Sequence, residues 1–106
     1  MPFETLSALS PREIIPGYHA RFVHGSTMTA AFWTIEAGAA MPEHDHPHEQ
    51  ISVVQEGRFR LTVGGETQEV EPGMVAVIPA GVPHGGEALT DCRIFDAFHP
   101  VREDYR

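Results

Sequence analysis

Seven histidines occur among 106 residues, and three of them fall in the run His44-Asp45-His46-Pro47-His48. Side chains two residues apart on an extended segment point to the same face. If that face lines the inside of a barrel, the imidazoles of His44 and His46 converge on one point and can share a metal ion. Zinc, nickel, manganese and iron all accept imidazole, so the ligand type does not choose among them. Taken alone, the cluster is equally compatible with a solvated, metal-free loop. His48 has the parity of the other two, but Pro47 is expected to break the strand between them. That makes His48 a neighbour of the ligands or an exposed residue. His19, His24 and His99 read as structural or solvent-facing.

A second group lies near the C-terminus, in Phe95-Asp96-Ala97-Phe98-His99-Pro100-Val101-Arg102. On one strand Asp96 and Phe98 share a face, which would turn a carboxylate and an aromatic ring inward together. A turn or edge position for Asp96 and a plain core position for Phe98 remain the alternative. A carboxylate within an otherwise apolar strand is costly unless it is paired or used. Arg102 follows four residues after Phe98, where the chain is expected to turn over the mouth of the fold. Its planar guanidinium suits a carboxylate held by two parallel hydrogen bonds.

These residues need elements to hold them, and the chain reads as short strands. Thr27 to Glu36, Gln50 to Gln55, Arg58 to Val63, Glu66 to Val70 and Cys92 to Phe98 show β-branched or alternating patterns, with Gly64-Gly65 as a hairpin turn. The continuous apolar run Met74 to Ile78 predicts a strand buried on both faces. Nothing reads as a long amphipathic helix, and the ten glycines and nine prolines suit frequent tight turns. Residues 1–10 are expected to form a peripheral N-terminal arm, and residues 11–106 a single domain, since a chain this short does not carry two cores. Ser10-Pro11-Arg12 is compatible with a short helix or with an arm that reaches a partner subunit.

The formal charge of −8 argues against nucleic acid, whose affinity rests largely on Lys and Arg, and against an anionic membrane surface. One cysteine, Cys92, leaves no intramolecular disulfide and reads as a small buried hydrophobe. Met1-Pro2-Phe3-Glu4 lacks a basic stretch leading into an apolar one, so no signal peptide is expected and a cytoplasmic protein is the default.

Two longer patterns carry a family resemblance. Gly38, five residues, His44-x-His46, three residues, Gln50, six residues and Gly57 reproduce the first cupin motif at every spacing. Gly73, five residues, Pro79-x-Gly81, two residues and His84 reproduce the second. With the segment between them, the chain resembles the cupin superfamily over roughly half its length. The resemblance implies an all-β fold, a small antiparallel β-barrel or double-stranded β-helix of the jelly-roll type. It also implies a homodimer and one divalent transition metal (Zn, Ni, Mn or Fe) held by His44, His46, Gln50 and His84.

Gln50 stands where the first motif usually has glutamate, and is expected to bind through its amide oxygen. Glu49 is a carboxylate, but one residue off register it points away in a strand. It is the less favoured ligand, placed with His48 beside the metal set. A neutral fourth ligand leaves the ion more of its positive charge and makes it a better Lewis acid. Ala88 replaces the asparagine that often closes the second motif, a position that is usually non-ligating.

Together with His44 to Gln50, the terminal Asp-x-Phe-x3-Arg pattern is similar to the small pectin-degradation cupins of the KdgF type. That resemblance implies conversion of 4,5-unsaturated uronates to the linear 5-keto-4-deoxyuronate. It gives Asp96 the proton shuttle, Arg102 the uronate carboxylate and Phe98 the sugar face. Two other readings stay open: a metal-dependent dioxygenase or other small-molecule cupin enzyme, and a non-catalytic sensor that binds a metal or a sugar acid.

Overall fold

A computed structural model describes residues 2–106. The strands are β1 (Arg12–Ile15), β2 (Tyr18–His24), β3 (Thr29–Ile35), β4 (Ala40–His44), β5 (Glu49–Glu56), β6 (Phe59–Val63), β7 (Glu66–Val70), β8 (Val75–Ile78), β9 (His84–Ala88) and β10 (Cys92–His99). Helical structure among the described residues is limited to two short 3-10 turns, Leu6–Ala8 and Glu103–Tyr105. Among the described residues no helix is long and apolar enough to cross a membrane.

All strand pairs are antiparallel and form two sheets, one in the order β1-β2-β3-β10-β5-β8 and the other β4-β9-β6-β7. The fold is the all-β jelly roll expected from the motifs. Alternation along β3 and β10 explains the core. Ala31, Trp33 and Ile35 on β3, and Cys92, Ile94, Asp96 and Phe98 on β10, turn inward while their neighbours face out. Full burial of each large apolar side chain stabilises the fold by about 1.5–3 kcal/mol.

Strand order, more than strand content, sets the neighbours of the inward-facing residues. β10 lies between β3 and β5, so Asp96 pairs with Ala31 on one side and Ser52 on the other, and Phe98 pairs with Thr29 and Gln50. The turn after β5 shows why one motif glycine is required. Gly57 has φ +86°, and a Cβ there would meet the Asp91 carbonyl at 2.2 Å.

Several expectations are corrected. β8 is not buried on both faces, because it is the edge strand of the larger sheet. Val75 and Val77 are 61% and 57% exposed, while Ile78 points inward. Of the two possibilities for Ser10-Pro11-Arg12, the helix does not form; β1 begins at Arg12 and pairs with β2. The strands β1, β2, β4 and β9 were not legible as separate elements. The N-terminal segment is tied to the sheet where Arg21 Nε donates to the Leu9 carbonyl at 2.8 Å.

Candidate metal centre and binding cavity

β4 and β9 pair so that His44 stands opposite His84. The segment after His84 is Gly85-Gly86, and both glycines are sterically required. A Cβ on Gly85 would lie 2.8 Å from the Met41 carbonyl, and one on Gly86 would lie 2.3 Å from the Phe59 ring. These close approaches draw β9 against β4 and β6 and bring His84 to the first pair. His46 follows in the loop between β4 and β5. Its carbonyl accepts the Gly81 N–H at 2.8 Å, which ties the two motif loops together.

The ring nitrogens offered by His44, His46 and His84 all lie within 4.8 Å of one another. Each Nδ1 faces a backbone carbonyl: His44 to Pro42 at 2.8 Å, His46 to His48 at 3.0 Å and His84 to Val82 at 2.9 Å. A carbonyl only accepts, so Nδ1 carries the hydrogen and each neutral ring presents the lone pair of Nε2. His84 Nε2 is buried and has no hydrogen-bond partner among the described residues. His46 Nε2 lies 3.1 Å from Gln50 Oε1. With the amide oxygen turned that way, two acceptors face each other, an arrangement that a shared cation relieves. Two donors sharing one ion with ~2.1 Å bonds lie about 3–3.5 Å apart, a range that includes this contact. On these observations the residues fit a divalent metal.

Protonation works in the same direction. Burial, with the charges of Arg102 and His84, pushes His46 down to about 4. Burial also lowers His84, although its contact with the Val82 carbonyl partly opposes this. Both rings are therefore neutral at pH 7, as a ligand must be.

The buried polar residues are concentrated here. His46, Gln50, His84, Asp96 and Arg102 are each at most 8% exposed, and all five line one cavity of about 60 Å³ together with His44 and Phe98. Burial is the largest influence on Asp96 and pushes its carboxyl up to about 6, while Ser52, Gln50, Trp33 and Arg102 pull it back. Arg102 is fixed from three sides. Its backbone N–H donates to Thr29 Oγ1 at 2.9 Å, and its Nε and Nη2 donate to the two Asp104 oxygens at 3.0 and 2.8 Å. The guanidinium carbon also lies 4.7 Å from the centre of the Phe98 ring and 4.2 Å from that of Tyr105.

The structure separates the two residues placed beside the metal set. His48 is half-buried, and its carbonyl orients His46. Glu49 does not join the site. It is exposed and on the opposite face of β5 from Gln50, because successive strand residues alternate. Sequence reasoning missed Tyr18, Trp33, Asp104 and Tyr105. The alternation of β3 was a usable signal for Trp33. Asp104 and Tyr105 follow Arg102 in a 3-10 turn with no periodic signature.

A family model described as "Cupin domain" matches residues 31–98, well over half of the chain, and the chain belongs to this family. An uncharacterized protein of Streptomyces coelicolor is 31% identical over 85 residues, covering 79% of this chain and 81% of its own. Among solved structures, KdgF from Halomonas sp. is similar at 28% identity and a TM-score of 0.93, over 100% of this chain and 99% of its own. An RmlC-like cupin from Shewanella frigidimarina is similar at 27% identity and a TM-score of 0.94, over 100% and 96%. A salicylate 1,2-dioxygenase variant from Pseudoaminobacter salicylatoxidans shares the fold, with 24% identity and a TM-score of 0.79. It is matched over 84% of this chain and 28% of its own.

Proposed function

We propose that this cupin is a metal-dependent enzyme that converts 4,5-unsaturated uronates to 5-keto-4-deoxyuronate by ring opening and tautomerisation. The observation that carries this reading is the single cavity lined by the three histidines, Gln50, Asp96, Phe98 and Arg102. Similarity to KdgF over the full chain supports it. His44, His46, His84 and Gln50 would hold one divalent ion. Such an ion would supply positive charge beside an oxygen on which negative charge develops.

The chain's own groups account for the rest. Asp104 occupies the side-on fork of Arg102, which leaves the N–H groups at the Nη1/Nη2 end for the substrate carboxylate. Phe98 offers a ring beside the sugar. Asp96 takes the proton of the anomeric hydroxyl as the C1–O5 bond breaks, leaving an aldehyde at C1 and an enolate across C4, C5 and O5. It then returns a proton to C4, and the enolate becomes the C5 ketone. The atoms balance as an isomerisation. A carboxyl near 6 can both take and give a proton around neutral pH.

The test is loss of the unsaturated-uronate absorbance on adding purified, metal-analysed protein. Asp96→Asn should keep metal and bind substrate without turning it over. Normal turnover by that variant would refute the assignment. We also infer a homodimer formed through the outer side of the larger sheet, where Ile51, Val75 and Val77 are exposed beside the half-buried Val53 and Phe95.

A further inference from the structure

We propose that Arg12, on the outermost strand and outside the cavity, positions Arg102 for the substrate carboxylate, acting through Phe22 and Tyr105. The inference rests on the uronate reading and deepens it by naming what holds the carboxylate-binding group in place.

Arg102 is the N-cap of the 3-10 turn Glu103–Tyr105, an element of three residues with none of them buried. So short a turn has little stability of its own. It is tied down by β1, since Arg12 Nη1 donates to the Tyr105 carbonyl across 93 residues of sequence. Arg12 is level with Ala20, two residues before Phe22 on the same face of β2, and its guanidinium carbon lies 5.3 Å from the centre of the Phe22 ring. Phe22 stacks on Tyr105, with ring centres 4.5 Å apart and planes 27° apart. The Tyr105 ring in turn lies 4.2 Å from the guanidinium carbon of Arg102. Cation, ring, ring and cation run unbroken from the exposed edge strand to the cavity.

The inner end of this run is a corner. Phe98 is 4.7 Å from the same guanidinium carbon, and the Phe98 and Tyr105 rings are 6.3 Å apart with planes at 71°. Rings set so steeply do not sandwich a planar group; they box it from two directions, while Asp104 holds the Nε side. Thr29 fixes the Arg102 backbone, so the turn governs the side chain alone. Phe98 belongs to β10 and stays with the sheet. Tyr105 and Asp104 both sit on the turn, so two of the three restraints on the guanidinium depend on the latch from Arg12. Trp33, edge-on at 6.2 Å, backs the Tyr105 ring without tying the turn. An arginine ordered in advance loses less rotamer freedom when a carboxylate binds.

The test uses the full chain loaded with zinc, and D-galacturonate, which lacks the double bond, as a non-reacting probe. All seven basic side chains are arginines, so a nitrogen-15 spectrum of their Nε–H groups is sparse, and Arg102 is identified by its loss in Arg102→Lys. Without ligand, its order parameter should be roughly 0.85 in the unaltered chain and below about 0.6 in Arg12→Met, which keeps the stem and removes the donors. Arg12→Met should weaken galacturonate binding roughly fivefold by calorimetry, and Arg12→Lys should recover part of the loss. With unsaturated galacturonate, KM should rise by the same factor while kcat stays within about twofold. An equally rigid Arg102 in Arg12→Met overturns the proposal, as does unchanged galacturonate affinity or a loss confined to kcat. A thermal midpoint more than about 10 °C lower would mark a general loss of structure and also overturn it. If the unaltered chain does not bind galacturonate, the assignment to sugar acids falls, while a mobile Arg102 in Arg12→Met leaves the latch standing.

Discussion

Replacing Asp96 with asparagine should make the metal-free protein more stable at neutral pH, and the gain should disappear in acid. The carboxyl is 7% exposed, and burial pushes it from its usual 3.8 up to about 6. A raised pKa means that the folded chain holds this proton more tightly than the unfolded chain. The contribution is therefore fully present below pH 3.8 and is lost as the pH rises through 6. From 3.8 to about 6, at about 1.4 kcal/mol per pH unit, the loss is about 3 kcal/mol by pH 7.5. Asparagine keeps the shape and cannot ionise, so it avoids this loss. For a domain of this size the variant should melt roughly 13 °C higher at pH 7.5, and within a few degrees of the unaltered protein at pH 4.

Other groups titrate over the same range, His46 among them, so only the difference between the two proteins at each pH reports on Asp96. Thermal melts followed by circular dichroism in chelator supply it. Adding a divalent metal should narrow the gap, since a nearby cation favours the carboxylate. A difference equal at both pH values would refute the reasoning, and so would a variant less stable at pH 7.5 than at pH 4 relative to its parent.

His84→Ala should leave a folded barrel and cut metal affinity at least ~100-fold, read by elemental analysis after dialysis, because it removes one of three convergent nitrogens. Gln50→Glu should retain metal more tightly against a chelator and lower turnover at least ~10-fold, since an anionic ligand offsets part of the ion's charge. Equal turnover would show that the neutral amide is not needed. Val75→Glu with Val77→Glu should shift the protein from dimer to monomer in analytical ultracentrifugation, because both side chains project from the exposed edge of the larger sheet. A dimer that persists would place the interface elsewhere.

The sequence alone carried the features that depend on local backbone geometry. Resemblance to the two cupin motifs named His44, His46, Gln50 and His84 from two separate stretches. The two-residue period of a strand turned Gln50 inward and Glu49 outward, and put Asp96 and Phe98 on one face. Tertiary structure decided who their neighbours are. Placing β10 between β3 and β5 set Asp96 level with Ala31 on one side and Ser52 on the other. Folding the C-terminal turn back engaged the fork of Arg102 with Asp104. Leaving β8 at a sheet edge exposed Val75 and Val77, although the run had every local sign of a buried strand. A side chain's face follows from the residues next to it in the chain, whereas its partners and its access to water follow from pairings between distant segments, which no local pattern encodes.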